Sequence, residues 1–167
     1  MPVGKIRGDQ IKDDSITEAD IDDEAIKHFV YGSVDLNTNY KPANWVNAST
    51  VSSSIGIKTW FIVPFTCKID KVIVTVKGNN FDQVSDGDVS VYGFLNQPNY
   101  DTRVFQQTAA ASTFTQKVSN MNNGTVDCNQ KIFSGINTQL TEGDMLQIKV
   151  GKTAGDEREA IVTVVFT

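Results

Sequence analysis

The sequence is poor in the residues that carry chemistry. It has one histidine, His28, and two cysteines, Cys67 and Cys128, among 167 residues. A lone imidazole with no acid or nucleophile at a recognisable spacing gives Ser-His-Asp and Cys-His catalysis no support, and His28 reads as a hinge or packing residue. The cysteines share no CxxC and have no histidine beside them, so no zinc site is expected. They read as two small buried thiols, with a disulfide the alternative if their strands meet in space. Glycine-rich phosphate loops are lacking, and no cofactor is expected. No Lys/Arg cluster is visible, which argues against nucleic acid as a partner. The longest apolar run, around Trp60 to Phe65, is too short to cross a bilayer, so no membrane partner is expected either. The opening MPVGKIRGDQ has no apolar core, so we expect no signal peptide and synthesis in a cytoplasm.

What is present is unevenly placed. Net charge is −5, and residues 1–27 supply most of it, with eight acidic groups against four basic ones. Within this segment Ile6, Ile11, Ile16, Ile21 and Ile26 recur at every fifth position among almost only polar residues. Five residues advance a helix by roughly 500°, so the isoleucines would spiral round it instead of forming a stripe. On a strand an odd spacing sends alternate isoleucines to opposite faces. A pentapeptide β-helix would bury the position two before each isoleucine, and Asp9, Asp14 and Glu24 stand there. What remains is an extended arm whose isoleucines find their partner surface on other chains, because each left in water forfeits about 1.5–3 kcal/mol of burial. The end of the arm, Thr17–Phe29, has the signals of a short helix. Thr17 is a fair N-cap, Glu18 and Asp20 lie in the first turn, and Ile21, Ala25 and Phe29 fall at i, i+4 and i+8.

Composition changes near residue 30, which divides the chain into an arm, 1–30, and a domain, 31–167. Strands are expected at Ser33–Leu36, Lys58–Phe65, Ile69–Lys77, Val89–Leu95, Thr102–Thr108, Thr113–Ser119, Lys131–Phe133, Met145–Val150 and Ala160–Thr167. Asn37–Ser54 reads as loop, and Gly78-Asn79-Asn80, Asp86-Gly87-Asp88 and Glu142-Gly143-Asp144 read as turns. Eight or nine strands at regular spacing, with no long helix, make an all-β antiparallel sandwich. A jelly roll is the expected arrangement, with the final strand tied into the middle of a sheet.

The units GDQIKDDSIT and EADIDDEAIK resemble the repeats near the N-termini of bacteriophage fibre and capsid-decorating proteins. In that family, blocks of the form Q-I-x-D-x-x-I-T precede a β-domain. Trp60–Phe65 with Ile69–Val76, and Gly143–Val150 with Ile161–Phe166, are similar to the small jelly rolls that follow. One departure is that Asp14 and Glu24 stand where the family has the glycine of D-G-S/T. The resemblance implies a homotrimeric, non-enzymatic virion protein, made in the bacterial cytoplasm and placed on the capsid surface. Its arm, through Ile6, Ile11, Ile16, Ile21 and Ile26, would engage the major capsid protein shell and sister chains. The alternative it implies is a tail or baseplate fibre whose jelly roll binds a surface glycan.

Other candidate residues have plainer readings. Asp82, Asp86 and Asp88 lack the spacing and the downstream glutamate of an EF-hand, and read as turn-forming acids. Asp20, Asp22 and Asp23 could meet a cation only on a trimer axis, and Arg7-Gly8-Asp9 lies inside the repeat. Trp60 is expected in a strand and in the core. Trp45, near Tyr40 and Pro42, is a candidate for an exposed contact, and Tyr40, Trp45 and Tyr100 are candidates for stacking on sugar rings. Asn47-Ala48-Ser49 and Asn123-Gly124-Thr125 match a glycosylation sequon with no secretory signal beside them.

Overall fold

Two antiparallel five-stranded sheets pack face to face in the computed structural model, which describes residues 28–43, 59–77, 86–96, 102–118 and 128–167. The strands are β1 His28–Leu36, β2 Lys41–Pro42, β3 Phe61–Ile62, β4 Cys67–Lys77, β5 Asp88–Leu95, β6 Arg103–Ala110, β7 Thr115–Val118, β8 Cys128–Leu140, β9 Met145–Lys152 and β10 Arg158–Phe166. The first sheet runs β1-β10-β4-β8-β7; the second runs β2-β9-β5-β6, with β3 also on β9. The pairings are nested. β1 joins β10, β2 and β3 join β9, β4 joins β8, and β5 joins β6. A long hairpin rolled about its own axis produces this nesting, and the fold is a jelly-roll β-sandwich.

Period-two alternation explains which side of each strand faces in. In the first sheet Val34, Ala160 and Val76 lie in register, as do Val30, Val164, Val72 and Phe133. These residues face the second sheet, whose inward row includes Val89, Val91, Leu146, Ile148 and Val150, all fully buried. Aromatic pairs fill the ends of the sandwich. Phe61 stacks on Phe166 at 5.6 Å between ring centroids, and Phe114 meets Phe133 edge-on at 6.5 Å. Phe166 pairs with His28 on one side and Ile69 on the other, so the final strand is held in the sheet interior. The turn between β8 and β9 follows from its residues. Gly143 takes φ of +88°, and the Asp144 carboxylate accepts from Thr141 N at 2.7 Å and from Asn96 Nδ2 at 2.6 Å.

Several sequence expectations need correction. Phe29 lies in β1, paired with Val165, so a helix over Thr17–Phe29 cannot include its last two residues; the rest of that segment lies outside the described residues. β1 begins at His28, which makes His28 a strand residue. The expected strand Lys58–Phe65 shrinks to Phe61–Ile62, because Pro64 has no N–H to give a ladder. Trp60 therefore sits just outside a strand and is only half-buried. Lys131–Phe133 is the middle of a 13-residue strand, Cys128–Leu140, whose polar run Ser134–Gln139 hides its alternation. Lys41–Pro42 pairs with β9 inside the segment read as loop, and Thr113 closes a single 3₁₀ turn, Ala111–Thr113, instead of opening a strand.

The disulfide alternative also falls. Both cysteines are free, and they lie at opposite ends of the β4–β8 ladder, Cys67 against Leu140 and Cys128 against Lys77. That spacing is roughly 30 Å at about 3.4 Å per residue, far beyond the reach of an S–S bond. Burial pushes the Cys67 thiol above the usual range, whereas Cys128 is half-exposed. In the folded protein at neutral pH, a thiol reagent should modify one equivalent quickly, at Cys128. The second should react only on unfolding; two equally fast thiols would contradict this packing.

Candidate partner-binding face

The outward side of the first sheet is apolar where a solvated sheet would be polar. Strand registers place its residues in rows. One row holds Tyr31, Thr163, Ile73 and Ile132; the next holds Ser33, Ile161, Thr75 and Gln130. On the other side of the Tyr31 row come Phe29, Val165, Lys71 and Ser134. Phe29 is 65% exposed, Tyr31 64%, Ile161 50% and Ile132 48%. An antiparallel sheet with one face in water alternates apolar-in with polar-out, so four large apolar side chains on the outer face break that pattern. Phe29 and Ile161 lie one row, two residues, to either side of the row that holds Tyr31 and Ile132, which makes the four one patch across four strands.

Several polar groups on this face are already engaged. Gln130 Nε2 donates to Thr75 Oγ1 at 3.2 Å. At the rim, Lys71 pairs with Asp70 at 3.4 Å and Lys77 with Glu159 at 2.6 Å. The Glu159 carboxylate beside Lys77 raises the lysine's pKa, first through their hydrogen bond and then through charge. Near the start of β10, Lys41 lies 3.8 Å from Asp35 and 3.4 Å from Glu157, whose pKa is lowered by hydrogen bonds from Asn37 and Lys41. Covering these groups therefore leaves none of them without a partner.

The outward side of the second sheet differs. Tyr40 turns back over Gly151 with φ of +47°, and a Cβ on Gly151 would stand 2.4 Å from the Tyr40 ring. Its ring lies 5.1 Å from that of Tyr92, and the Arg103 guanidinium covers Tyr92 at 4.3 Å. Arg103 also donates to Gln106 Oε1 at 2.5 Å, and Ser90 and Thr108 share a hydroxyl hydrogen bond of 2.7 Å. Burial, then a hydrogen bond with Tyr92, pushes the Tyr40 phenol upward. Lys149 lies 5.2 Å from the Phe94 ring, and its pKa is lowered by burial. Tyr40, singled out for sugar stacking, thus meets Tyr92 and Arg103.

Ile6, Ile11, Ile16, Ile21 and Ile26, with Asp20, Asp22 and Asp23, lie outside the described residues, as do Asp82, Trp45, Tyr100 and both sequon asparagines. Asp86 is not a solvated turn residue. It is fully buried, in ion pairs with Lys152 and with Arg158, the latter at 3.6 Å. Sequence reading missed the outer apolar patch because Ile73, Ile132 and Ile161 sit beside inward valines and phenylalanine. In such near-continuous apolar runs the exposed and buried members look alike.

No protein-family model matches this sequence, and no curated protein matches it. Among solved structures the chain is similar to the Eiger TNF of S. frugiperda, with 17% identity over 83% of this chain and 91% of that one, at a TM-score of 0.38. It is also similar to the Turnip Yellow Mosaic Virus structure, with 10% identity over 85% of this chain and 92% of that one, at a TM-score of 0.25.

Proposed function

We propose that this protein is a non-enzymatic structural component of a bacteriophage particle, a homotrimeric capsid decoration (cement) or head-fibre protein. The observation that carries this reading is the uncovered apolar face of the first sheet, which belongs to a chain that assembles with others. The pentad segment adds a second adhesive element. Ile6, Ile11, Ile16, Ile21 and Ile26 anchor the chain to the major capsid protein shell and to neighbouring subunits, and the jelly roll decorates the outer surface. No cofactor, nucleic acid or membrane enters this role.

Changing Ile11, Ile16 and Ile21 together to serine should leave the thermal midpoint of the sandwich unchanged. It should lower retention on purified capsid shells at least tenfold, measured by co-sedimentation. Undiminished co-sedimentation would refute the anchoring role of the arm.

A second reading has one observation in its favour. Tyr40, Tyr92, Arg103 and Gln106 gather ring faces and hydrogen-bond donors on the outer side of the second sheet, the chemistry that recognises a saccharide. Under that reading the protein is a tail or baseplate fibre that binds a host-surface glycan. Glycan-array binding by the full chain, lost on Tyr92→Ala, would favour it over capsid decoration.

A further inference from the structure

We infer that the sandwich itself carries self-association, and that the occupant of the apolar face formed by β1, β10, β4 and β8 is a second copy of this chain. This rests on the assembly reading above but assigns the contact to a different part of the molecule from the pentad arm. Four adjacent strands span about 19 Å at roughly 4.8 Å each, and Phe29 to Asp35 covers about 20 Å along the strand. That is a face of about 400 Å², about half of what one partner contributes to a standard specific interface; Phe29, Tyr31, Ile132 and Ile161 are its apolar members, and the ion-paired Lys71 and Lys77 lie toward its ends.

Charge selects the occupant. The rim cations Lys71 and Lys77 are neutralised within the chain by Asp70 and Glu159, and Lys41 by Asp35 and Glu157. A strongly charged partner gains no steering from such a surface, whereas an identical surface approaches it without like-charge repulsion. The chain's own arm is a poorer fit, because residues 1–27 carry a net −4, eight acidic against four basic groups, and Lys71 and Lys77 are already paired within the chain.

Strand order supplies the geometry. β1 is an edge strand of nine residues, and among the described residues nothing pairs with its outer edge. It carries Phe29 and Tyr31, the two most exposed large apolar residues described. Long apolar edges invite pairing with another chain unless something covers them. In a closed ring the β1 side of one copy would sit against the Ile73–Ile132 side of the next, a heterologous contact that closes by rotation. Every copy then buries both halves of its patch, and the His28 ends of β1 in all copies lie on the same side of the ring.

The test uses the full chain and analytical ultracentrifugation. The unaltered protein should sediment at about three times its 18.3 kDa chain mass. Tyr31→Lys with Ile161→Lys should sediment as monomer while keeping its far-UV circular dichroism and cooperative melt. The milder Tyr31→Ser with Ile161→Ser should weaken association at least tenfold on dilution. The serine triple change in the arm should leave the oligomer intact. A monomeric unaltered chain would overturn the inference, as would a folded lysine or serine face variant that still associates like the parent. If the arm variant alone dissociates, the inference also fails, although the capsid reading stands. If the face variant dissociates but arm-altered oligomers still bind shells as before, the inference holds and the capsid-anchoring reading fails.

Discussion

Asp86→Ala should lower stability by about 3–5 kcal/mol, which for a chain of this size shifts the thermal midpoint by on the order of 10 °C. Asp86 and Lys152 are both fully buried and form an ion pair, and Arg158 approaches the other Asp86 oxygen at 3.6 Å. Lys152 reaches this position because β9 alternates. Leu146, Ile148 and Val150 face the core, so the side chain two further on must also turn inward. One carboxylate thus serves two cations. Removing it strands an ammonium with no water to solvate it, and leaves Arg158, whose Nε already has no partner among the described residues, without its counter-ion. Lys152→Ala should cost less, because Asp86 keeps Arg158. The double replacement Asp86→Leu with Lys152→Met should recover most of the loss, since buried ion pairs often roughly break even against apolar side chains of similar volume. Urea unfolding of the four proteins measures this directly. An Asp86→Ala protein within about 1 kcal/mol of the parent would show that the pair is not held in a dry site.

Gly93→Val should cost about 2–3 kcal/mol through overpacking. Gly93 lies on the inward side of β5 in step with Val89 and Val91, and a Cβ built there would stand 2.1 Å from the Phe105 ring across the β5–β6 pair. Phe105 is the side chain that uses the missing volume, so the two positions should couple. Phe105→Ala alone should cost about 2–3 kcal/mol by opening a cavity. Together the two changes should cost at least 1 kcal/mol less than their sum, because the valine fills part of what the phenylalanine vacates. Additive losses in the same urea series would mean that Gly93 is required for backbone reasons, not for space.

Much of the sandwich is written in local pattern. The valines at 72, 74 and 76 and the run AIVTVVF announce strands, and the structure puts them side by side, Val74 against Val162 and Val72 against Val164. β8 was legible only at Lys131–Phe133, because in its second half the half-buried Ile136 and the buried Leu140 are separated by polar residues and the ladder with β4 is interrupted between Ser134 and Thr138. The two-residue strands β2 and β3 were invisible as such for the same reason; their pairing is decided by β9. The candidate face was hidden differently. Sequence shows that Ile73, Ile132 and Ile161 are apolar, but only register reveals that all three point away from the core. Asp86 was misread because a turn-like triplet, Asp-Gly-Asp, carries no sign that a lysine 66 residues later will need its first carboxylate.

The rolled hairpin has a consequence for synthesis. β10 lies between β1 and β4, so the first sheet stays split until the last strand has been made. A ribosome-bound chain can assemble β5 on β6 early, yet β1 waits for a partner some 130 residues downstream, Val34 for Ala160 and His28 for Phe166. Closing so long a loop is entropically costly before any contact rewards it, which marks a slow folder. Throughout that interval β1 keeps both of its edges open, and β4 keeps open the one that β10 will take. Crowding of nascent chains, more than the finished protein's stability, then limits how much of it a cell can make without aggregation.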